Sequence, residues 1–129
     1  MAVRVLVVED SPRLQRVLGA MYGVLGCDVT LCSTQQEAER LLAGDVWGIV
    51  HLDDNLTPLI LGQPRPHEGS RVLAPIALQR GFKVIGCSDS LQEESGKPLW
   101  PKGVIPFIKP PVSREFERVV HGLMINLPG

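Results

Sequence analysis

The stretch that decides the fold class is VRVLVVED, residues 3–10. Its apolar part consists almost wholly of valine and leucine, and it ends in two adjacent carboxylates, Glu9 and Asp10. A nearly unbroken apolar run of this length predicts a strand that is covered on both faces, as the strands of parallel sheets are. Ser11 and Pro12 then predict a helix start, because serine caps free backbone N–H groups and proline fits the first helical position.

Apolar runs and amphipathic segments alternate through the first half of the chain. Apolar residues recur at helical spacing between Leu14 and Leu25, and again between Ala38 and Leu42. A short run rich in apolar or β-branched residues follows each segment, at residues 28–32 and at residues 47–52. The order strand, helix, strand, helix, strand predicts right-handed crossovers, and therefore an α/β fold with a doubly wound parallel sheet.

Residues 56–80 are expected to connect the third strand to the fourth. Residues 56–68 hold three prolines and one glycine and predict an irregular loop, and residues 69–80 predict a helix whose regular part begins only at Pro75. Exposing all the large apolar side chains of this loop would be unfavourable. We therefore predict that the loop folds over the ends of the strands or joins a protein interface. These apolar residues are Leu56, Leu59, Ile60 and Leu61.

Two further strands are predicted at residues 82–87 and 104–108. A helix between them, within residues 89–103, is expected from the topology alone, because two prolines and a glycine interrupt this segment. Ser113 caps a last amphipathic helix, which ends the predicted architecture.

Carboxylates stand at the ends of two of these strands, Glu9 and Asp10 after the first, Asp53 and Asp54 after the third. Because the carboxyl ends of parallel strands meet at one edge of the sheet, the acids are expected to converge on one crevice. Like charges held close together repel and raise one another's pKa, so such a cluster needs a cation. Carboxylate oxygens with open positions suit Mg²⁺, which keeps waters and accepts phosphate oxygens.

A hydroxyl group and an ammonium group stand at two further strand ends. Ser88 ends the fourth strand and Lys109 follows the fifth. Together with Mg²⁺ they suit in-line transfer of a phosphoryl group onto a carboxylate, since the serine donates a hydrogen bond and the lysine supplies a fixed positive charge.

With these motifs the chain resembles a response-regulator receiver domain, the phosphoacceptor part of two-component signalling. The resemblance covers essentially all 129 residues and rests on VLVVED (5–10), WGIVHLD (47–53), VIGCS (84–88) and IKP (108–110). It implies a flavodoxin-like sheet of five parallel strands in the order 2-1-3-4-5, with five helices, in a single domain spanning residues 1–129.

The resemblance also implies a role for each residue at the strand ends. Asp53 would accept the phosphoryl group, Ser88 would be the switch hydroxyl, and Lys109 would contact the phosphate. The Lys109–Pro110 peptide bond is expected to be cis, which is uncommon even before proline. Mg²⁺ would be held by Glu9, Asp10, Asp53 and the backbone carbonyl of Asn55.

The implied function is that of a regulatory phosphoacceptor rather than an enzyme. A sensor histidine kinase or a phosphotransfer protein would donate the phosphoryl group. An output domain, a partner protein or a second copy of the chain would receive the signal. The chain would be one domain, either complete or cut from a longer regulator, with residues 126–129 as a chain end or the start of a linker.

Two other function classes are compatible with this fold. A phosphorylation-independent interaction or dimerisation module would keep the sheet but would neither bind Mg²⁺ nor accept phosphate. A flavodoxin-like cofactor binder has the same strand order but needs phosphate-cradling loops rich in serine, threonine or glycine. The carboxylates of Glu9 and Asp10 argue against the cofactor binder.

The chain departs from the family pattern near the acceptor and in the fifth strand. Pro58 lies one position later than the family's proline after the acceptor, so Asp54 competes with Asp53 for that role. The apolar run before Asp53 favours Asp53, because adjacent strand residues face opposite sides. Pro106 stands where the family has an aromatic residue that swings inward, so we expect the signal to pass instead through residues 56–68 and the end of the fourth strand.

The composition excludes several partners and compartments. The 13 basic and 14 acidic residues nearly cancel, so charge gives no case for binding to nucleic acid or an anionic membrane. The sequence has no apolar span long enough to cross a bilayer and no signal-peptide pattern at its start. The three cysteines lack a CxxC pair and are expected to be reduced, small hydrophobic residues of a cytoplasmic protein. They are Cys27, Cys32 and Cys87.

Overall fold

The computed structural model describes residues 2–111 and 113–126. The strands are β1 (Arg4–Val8), β2 (Asp28–Cys32), β3 (Ile49–Asp53), β4 (Lys83–Ser88) and β5 (Val104–Ile108). The α-helices are α1 (Pro12–Val24), α2 (Gln35–Gly44), α3 (Ala74–Gln79) and α4 (Arg114–Ile125). A π-helical segment, Glu68–Leu73, leads directly into α3. Residues 127–129, expected to belong to a chain end or linker, lie outside the described residues.

The five strands form one parallel sheet in the order β2-β1-β3-β4-β5, which confirms the predicted topology. The register pairs Val8 with Leu52, Asp53 with Cys87, and Ser88 with Ile108. The carboxyl ends of β1, β3, β4 and β5 therefore lie side by side at one edge of the sheet.

Each face of the sheet is covered by its own apolar core. Alternate residues of β1 point to opposite faces, so Leu6 and Val8 pack under α2 and α3, whereas Val5 and Val7 pack under α1 and α4. Because both faces are buried, all four of these side chains are fully buried. This double coverage explains the unbroken apolar run at the start of the chain.

A buried polar pair lies inside the core under α1 and α4. The Tyr22 hydroxyl and Nδ1 of His51 are 2.7 Å apart, and both residues are almost wholly buried. Burial lowers the pKa of His51 to about 3 and raises the pKa of Tyr22. The tyrosine therefore stays protonated, and its hydroxyl donates a hydrogen bond to Nδ1 of the neutral imidazole.

Removing the Tyr22 hydroxyl is expected to destabilise the fold. Tyr22→Phe keeps the ring but leaves Nδ1 of His51 buried without its donor, which costs about 1–3 kcal/mol of unfolding free energy. Urea unfolding at neutral pH measures this loss. An unchanged unfolding free energy would show that the hydroxyl contributes nothing to the core.

The connection from β4 to β5 contains no α-helix, so the five helices implied by the resemblance are wrong, and the described residues form four. Residues 89–103 instead form an irregular segment in which Gln92 and Pro98 make an isolated antiparallel bridge. Pro98 and Pro101 cannot donate helical hydrogen bonds, and Gly96 adopts a positive φ of 86°. Local sequence therefore overrides the family topology at this point.

The segment before β4 agrees with the predicted interruption at Pro75. α3 begins at Ala74, and the turns before it are π-helical, with the backbone N–H of Ala74 donating to the carbonyl of Gly69. Pro75 has no N–H to give to the carbonyl four residues earlier, which favours a wider turn at this point.

Two of the composition-based expectations can be compared with the structure. All three cysteines are free, and Cys32 and Cys87 are buried. Within the described ranges, no helix combines the length and the apolar character that a membrane span requires.

Candidate acceptor site

Four strands place the predicted site residues at one edge of the sheet. Glu9 follows β1 and is buried, Asp53 is the last residue of β3, and Ser88 is the last residue of β4. Lys109 follows β5, and its peptide bond to Pro110 is cis, as expected. The cleft at this edge is lined by residues that include Asp10, Asp53, Asn55, Ser88 and Lys109.

One ammonium group serves two carboxylates in this cleft. Nζ of Lys109 lies 2.6 Å from Oδ1 of Asp53 and 3.2 Å from Oε1 of Glu9. Oε2 of Glu9 accepts the backbone N–H of Ser11 at 3.1 Å. Oδ2 of Asp53 is buried and has no hydrogen-bond partner among the residues that the structure describes. One oxygen of the Asp53 carboxylate therefore lies buried without a group that balances its negative charge.

The charges shift the protonation of both partners. Burial raises the pKa of Asp53 to about 8, and the Glu9 carboxylate adds to the rise, whereas the contact with Lys109 opposes it. Burial alone would lower the pKa of Lys109, but Asp53 and Glu9 outweigh this and raise it. The site thus holds more negative charge than one lysine neutralises, and it favours either a proton or a further cation.

The carboxylates are close enough to share a metal ion. One oxygen each from Glu9, Asp10 and Asp53 can be chosen so that all lie within 4.8 Å of one another. The side chain of Asn55 is engaged with His67 and Asp54, so its backbone carbonyl is the ligand group that it has to offer. All of these donors are hard oxygens, and with the unpartnered Oδ2 of Asp53 they fit Mg²⁺.

Asp54 lies beside Asp53, but its carboxylate is bonded to residues of the segment after β3. Its buried carboxylate accepts the backbone N–H of Ser70 at 3.2 Å and the Ser70 hydroxyl at 2.5 Å. It also lies 2.5 Å from Nδ1 of His67 and accepts a hydrogen bond from the side chain of Asn55. These contacts tie the end of β3 to the π-helical segment, so Asp54 has a structural use that Asp53 lacks.

The Ser88 hydroxyl has two partners on the segment between β4 and β5. It donates to the carbonyl of Ser90 at 2.6 Å and accepts the indole N–H of Trp100 at 3.1 Å. Ser88 and Trp100 are both buried. The sequence predicted Ser88 at the cleft but gave no signal for the indole, because the contact spans an irregular segment.

Several solved structures share this architecture. The receiver domain of a sensor histidine kinase from Pseudomonas aeruginosa, with magnesium in its active-site cleft, superposes with a TM-score of 0.74 at 18% identity, over 98% of this chain and 100% of that one. A receiver protein from Sinorhizobium medicae gives a TM-score of 0.68 at 21% identity, over 97% and 96% of the two chains. This chain has the fold of a response-regulator receiver domain.

A third receiver structure comes from a larger protein. It is the N-terminal domain of a response regulator/sensory box/GGDEF three-domain protein from Carboxydothermus hydrogenoformans, with a TM-score of 0.63 at 14% identity, over 93% of this chain and 89% of that one. No family model matches the sequence of our chain, and no curated protein matches it significantly.

This receiver fold carries an unusual loop beside its cleft. The buried carboxylate of Glu68 accepts the backbone N–H of Leu56 at 3.1 Å and the hydroxyl of Thr57, which closes residues 56–68 into an anchored loop. Leu56 is buried and Leu59 lines the cleft, whereas Leu61 is 92% exposed. The base of the loop therefore folds over the strand ends as predicted, and a protein interface, the other part of the prediction, stays a prediction for the exposed tip.

The loop also brings two basic side chains to the cleft that the sequence interpretation missed. Arg65 and His67 both line it, together with Ser88 and Lys109. His67 has a positive φ of 53°, and its backbone N–H donates to Oδ1 of Asn55 at 2.9 Å. Only the tertiary anchoring of the loop brings these residues to the cleft, and no spacing in the sequence could have indicated it.

The protonation of Asp53 makes the effect of Mg²⁺ dependent on pH. Its pKa rises from 3.8 to about 8 on folding, so the folded chain binds the extra proton, and the resulting stability is lost as the pH rises through about 8. Mg²⁺ bound by Glu9, Asp10 and Asp53 would compete with that proton. We therefore expect the rise in melting temperature caused by Mg²⁺ to be larger at about pH 8 than at about pH 6.

Thermal unfolding with Mg²⁺ and with a chelator, at both pH values, measures this difference. Asp53→Asn is the matched control, since it keeps the shape of the site but has no proton to lose. Equal stabilisation by Mg²⁺ at the two pH values in the unmutated chain would contradict the expectation.

Proposed function

We propose that the chain is a Mg²⁺-dependent phosphoacceptor, in which Asp53 takes a phosphoryl group from a sensor histidine kinase or a phosphotransfer protein. The observation that carries the proposal is the state of the Asp53 carboxylate. It is buried at a strand end, one oxygen contacts Lys109 at 2.6 Å, and the other has no partner within the described residues. An oxygen in that state is a nucleophile held next to a fixed positive charge.

The chemistry follows from the groups around Asp53. An oxygen of Asp53 attacks the phosphorus of phosphohistidine, the P–N bond breaks, and the leaving imidazole takes up a proton. Lys109 balances the negative charge on the phosphoryl oxygens, and the Ser88 hydroxyl donates a hydrogen bond to one of them. Mg²⁺ at Glu9, Asp10, Asp53 and the Asn55 carbonyl would lower the repulsion between the acceptor and the incoming phosphoryl group.

The phosphorylated chain would act as a signal and not as an intermediate in the turnover of a substrate. An acyl phosphate carries about two negative charges where the Asp53 carboxylate carried one, so a cleft that already has an excess of carboxylate gains a further negative charge. This change would be passed to an output domain, to a partner protein or to a second copy of the chain. The similar receiver fold within a three-domain regulator from Carboxydothermus hydrogenoformans is consistent with an output domain elsewhere in a longer chain.

A phosphorylation-independent interaction module remains the second candidate. The exposed tip of the 56–68 loop favours it, because Leu59, Ile60 and Leu61 are 64%, 52% and 92% exposed. Adjacent apolar side chains in solvent are typical of a surface that contacts another protein.

Labelling with acetyl phosphate discriminates between the two functions. The chain is incubated with this donor in the presence of Mg²⁺ or of a chelator, and the intact mass is recorded. The proposal predicts addition of one phosphoryl group that requires Mg²⁺. The absence of labelling with acetyl phosphate and with a phosphorylated histidine kinase would favour the interaction module.

A further inference from the structure

The hydrogen bond between Trp100 and Ser88 joins the cleft to the segment that replaces a helix. The indole N–H donates to the Ser88 hydroxyl oxygen at 3.1 Å, and the exposed fractions of the two residues are only 6% and 4%. Since an indole has a single donor, this bond fixes both the position of the ring and the position of the hydroxyl oxygen.

The hydroxyl proton is also committed to the same segment. Ser88 donates to the Ser90 carbonyl at 2.6 Å, so both of its partners lie between β4 and β5. A serine hydroxyl has one proton to give. A phosphoryl oxygen on Asp53 would compete with Ser90 for it, and the rotation of Ser88 toward that oxygen would disturb the contact with Trp100.

The indole ring occupies a slot that glycine keeps open. A Cβ at Gly86 would lie 2.4–2.6 Å from three ring atoms of Trp100, far inside van der Waals contact. The ring therefore packs directly on the backbone of β4, two residues before Ser88. Displacement of the ring is unfavourable, because it exposes the backbone of β4 to solvent.

Trp100 stands at the base of a small hairpin. Gln92 bridges to Pro98, and the backbone N–H of Leu99 donates to the carbonyl of Leu91 at 3.0 Å. Leu99 is buried like Trp100, whereas most of the hairpin is exposed. A shift of the indole would therefore also move the exposed hairpin, because a few backbone hydrogen bonds connect the two.

The fifth strand offers no alternative relay at the corresponding position. Pro106 pairs with Gly86 across the sheet, and its ring is exposed. Proline has no side chain that can swing between the surface and the cleft. The aromatic side chain that contacts the hydroxyl comes instead from the preceding segment.

We propose that Trp100 is a positioning residue for the Ser88 hydroxyl, and that through it the hairpin Leu91–Leu99 responds to occupancy of Asp53. This inference rests on the proposed phosphoacceptor function. It adds the route by which the site communicates with the surface, and it names the surface element that changes.

The two tryptophans allow a direct spectroscopic test. The ¹⁵N-labelled chain gives one indole N–H signal for Trp100 and one for Trp47. The Trp47 N–H donates to the carbonyl of Leu41, and Trp47 precedes β3, whose other end carries Asp53. Spectra are recorded with Mg²⁺, before and after addition of beryllofluoride, and ¹⁹F NMR reports occupancy separately. We expect the Trp100 indole and the amides of residues 89–103 to shift while the Trp47 indole stays in place.

Occupancy without a change at Trp100 would overturn the inference and leave the phosphoacceptor function standing. Absence of occupancy would overturn both.

Trp100→Phe removes the N–H donor together with part of the indole ring, and Trp47→Phe removes the same groups elsewhere in the same core, so the difference between the two variants isolates the contact with Ser88. We expect Mg²⁺-dependent labelling by acetyl phosphate to slow about fivefold, the effect of one ordinary hydrogen bond, and the response of the hairpin amides to disappear. Trp47→Phe is the matched control and should label at the unmutated rate. Circular dichroism verifies that both variants fold. Equal labelling rates and equal amide responses in the two variants would refute a positioning role.

Discussion

Asp53→Asn is expected to reduce labelling by acetyl phosphate to the level seen without Mg²⁺. Asparagine keeps the size of the side chain but has no carboxylate oxygen to attack phosphorus. The loss should be complete because the neighbouring carboxylate cannot take over. Asp54 also lines the cleft, but both of its oxygens already have partners, since they accept hydrogen bonds from Ser70 and Asn55 and contact His67.

Asp54→Asn is the matched control one residue away. It weakens the tie between β3 and the π-helical segment, at a cost of about 1–3 kcal/mol, but it leaves the Asp53 carboxylate in place. Most of the labelling should therefore remain at temperatures where the variant is folded. Full labelling of Asp53→Asn, with loss in folded Asp54→Asn, would reverse the assignment of the acceptor.

Gly69→Ala is expected to destabilise the fold strongly, because the added methyl group meets backbone atoms. Its Cβ would lie 2.0 Å from the carbonyl oxygen of Asp53 and 2.9 Å from Cα of Asp54, and both are backbone atoms of a buried strand end. Neither atom can move aside without shifting Asp53. We expect a loss of about 3 kcal/mol of unfolding free energy, together with slower labelling.

Gly122→Ala provides the control for the same chemical change. A Cβ at this position of α4 meets nothing within 4 Å, and alanine is favoured over glycine in a helix by about 1 kcal/mol. Urea unfolding should therefore show opposite signs for the two substitutions. An unchanged unfolding free energy for Gly69→Ala would mean that the π-helical segment does not pack tightly against the end of β3.

The strand ends could be predicted from sequence because their information is local. An apolar run fixes the direction and burial of β1, and the next two residues must then lie at the edge of the sheet where Glu9 and Asp10 are found. The same argument applies to Asp53 and Ser88. Parallel pairing brings these ends together without any further specification.

Trp100, Arg65 and His67 could not be found in this way. Each comes from a segment without periodicity, and each reaches the cleft only because other contacts hold the segment in place. For His67 those contacts include Asn55, which receives its backbone N–H, and for Trp100 they include the open slot at Gly86. The spacing of apolar residues does not predict such contacts.

The helix expected between β4 and β5 fails for a related reason. The family topology supplied the expectation, whereas Gly96, Pro98 and Pro101 opposed it. The structure follows the local residues, and the indole of Trp100 covers β4 where a helix was expected to pack. Where resemblance and local chemistry disagree in this chain, local chemistry decides the outcome.

The most direct measurement of the central claim is identification of the labelled residue in the unmutated chain. The chain is labelled with acetyl phosphate and Mg²⁺ and then treated with borohydride, which reduces an acyl phosphate to an alcohol and so converts a phosphorylated aspartate to homoserine. Peptide mass spectrometry locates that residue. We expect homoserine at position 53 and aspartate at position 54. Homoserine at position 54, or at neither position under conditions where the intact mass shows labelling, would contradict it.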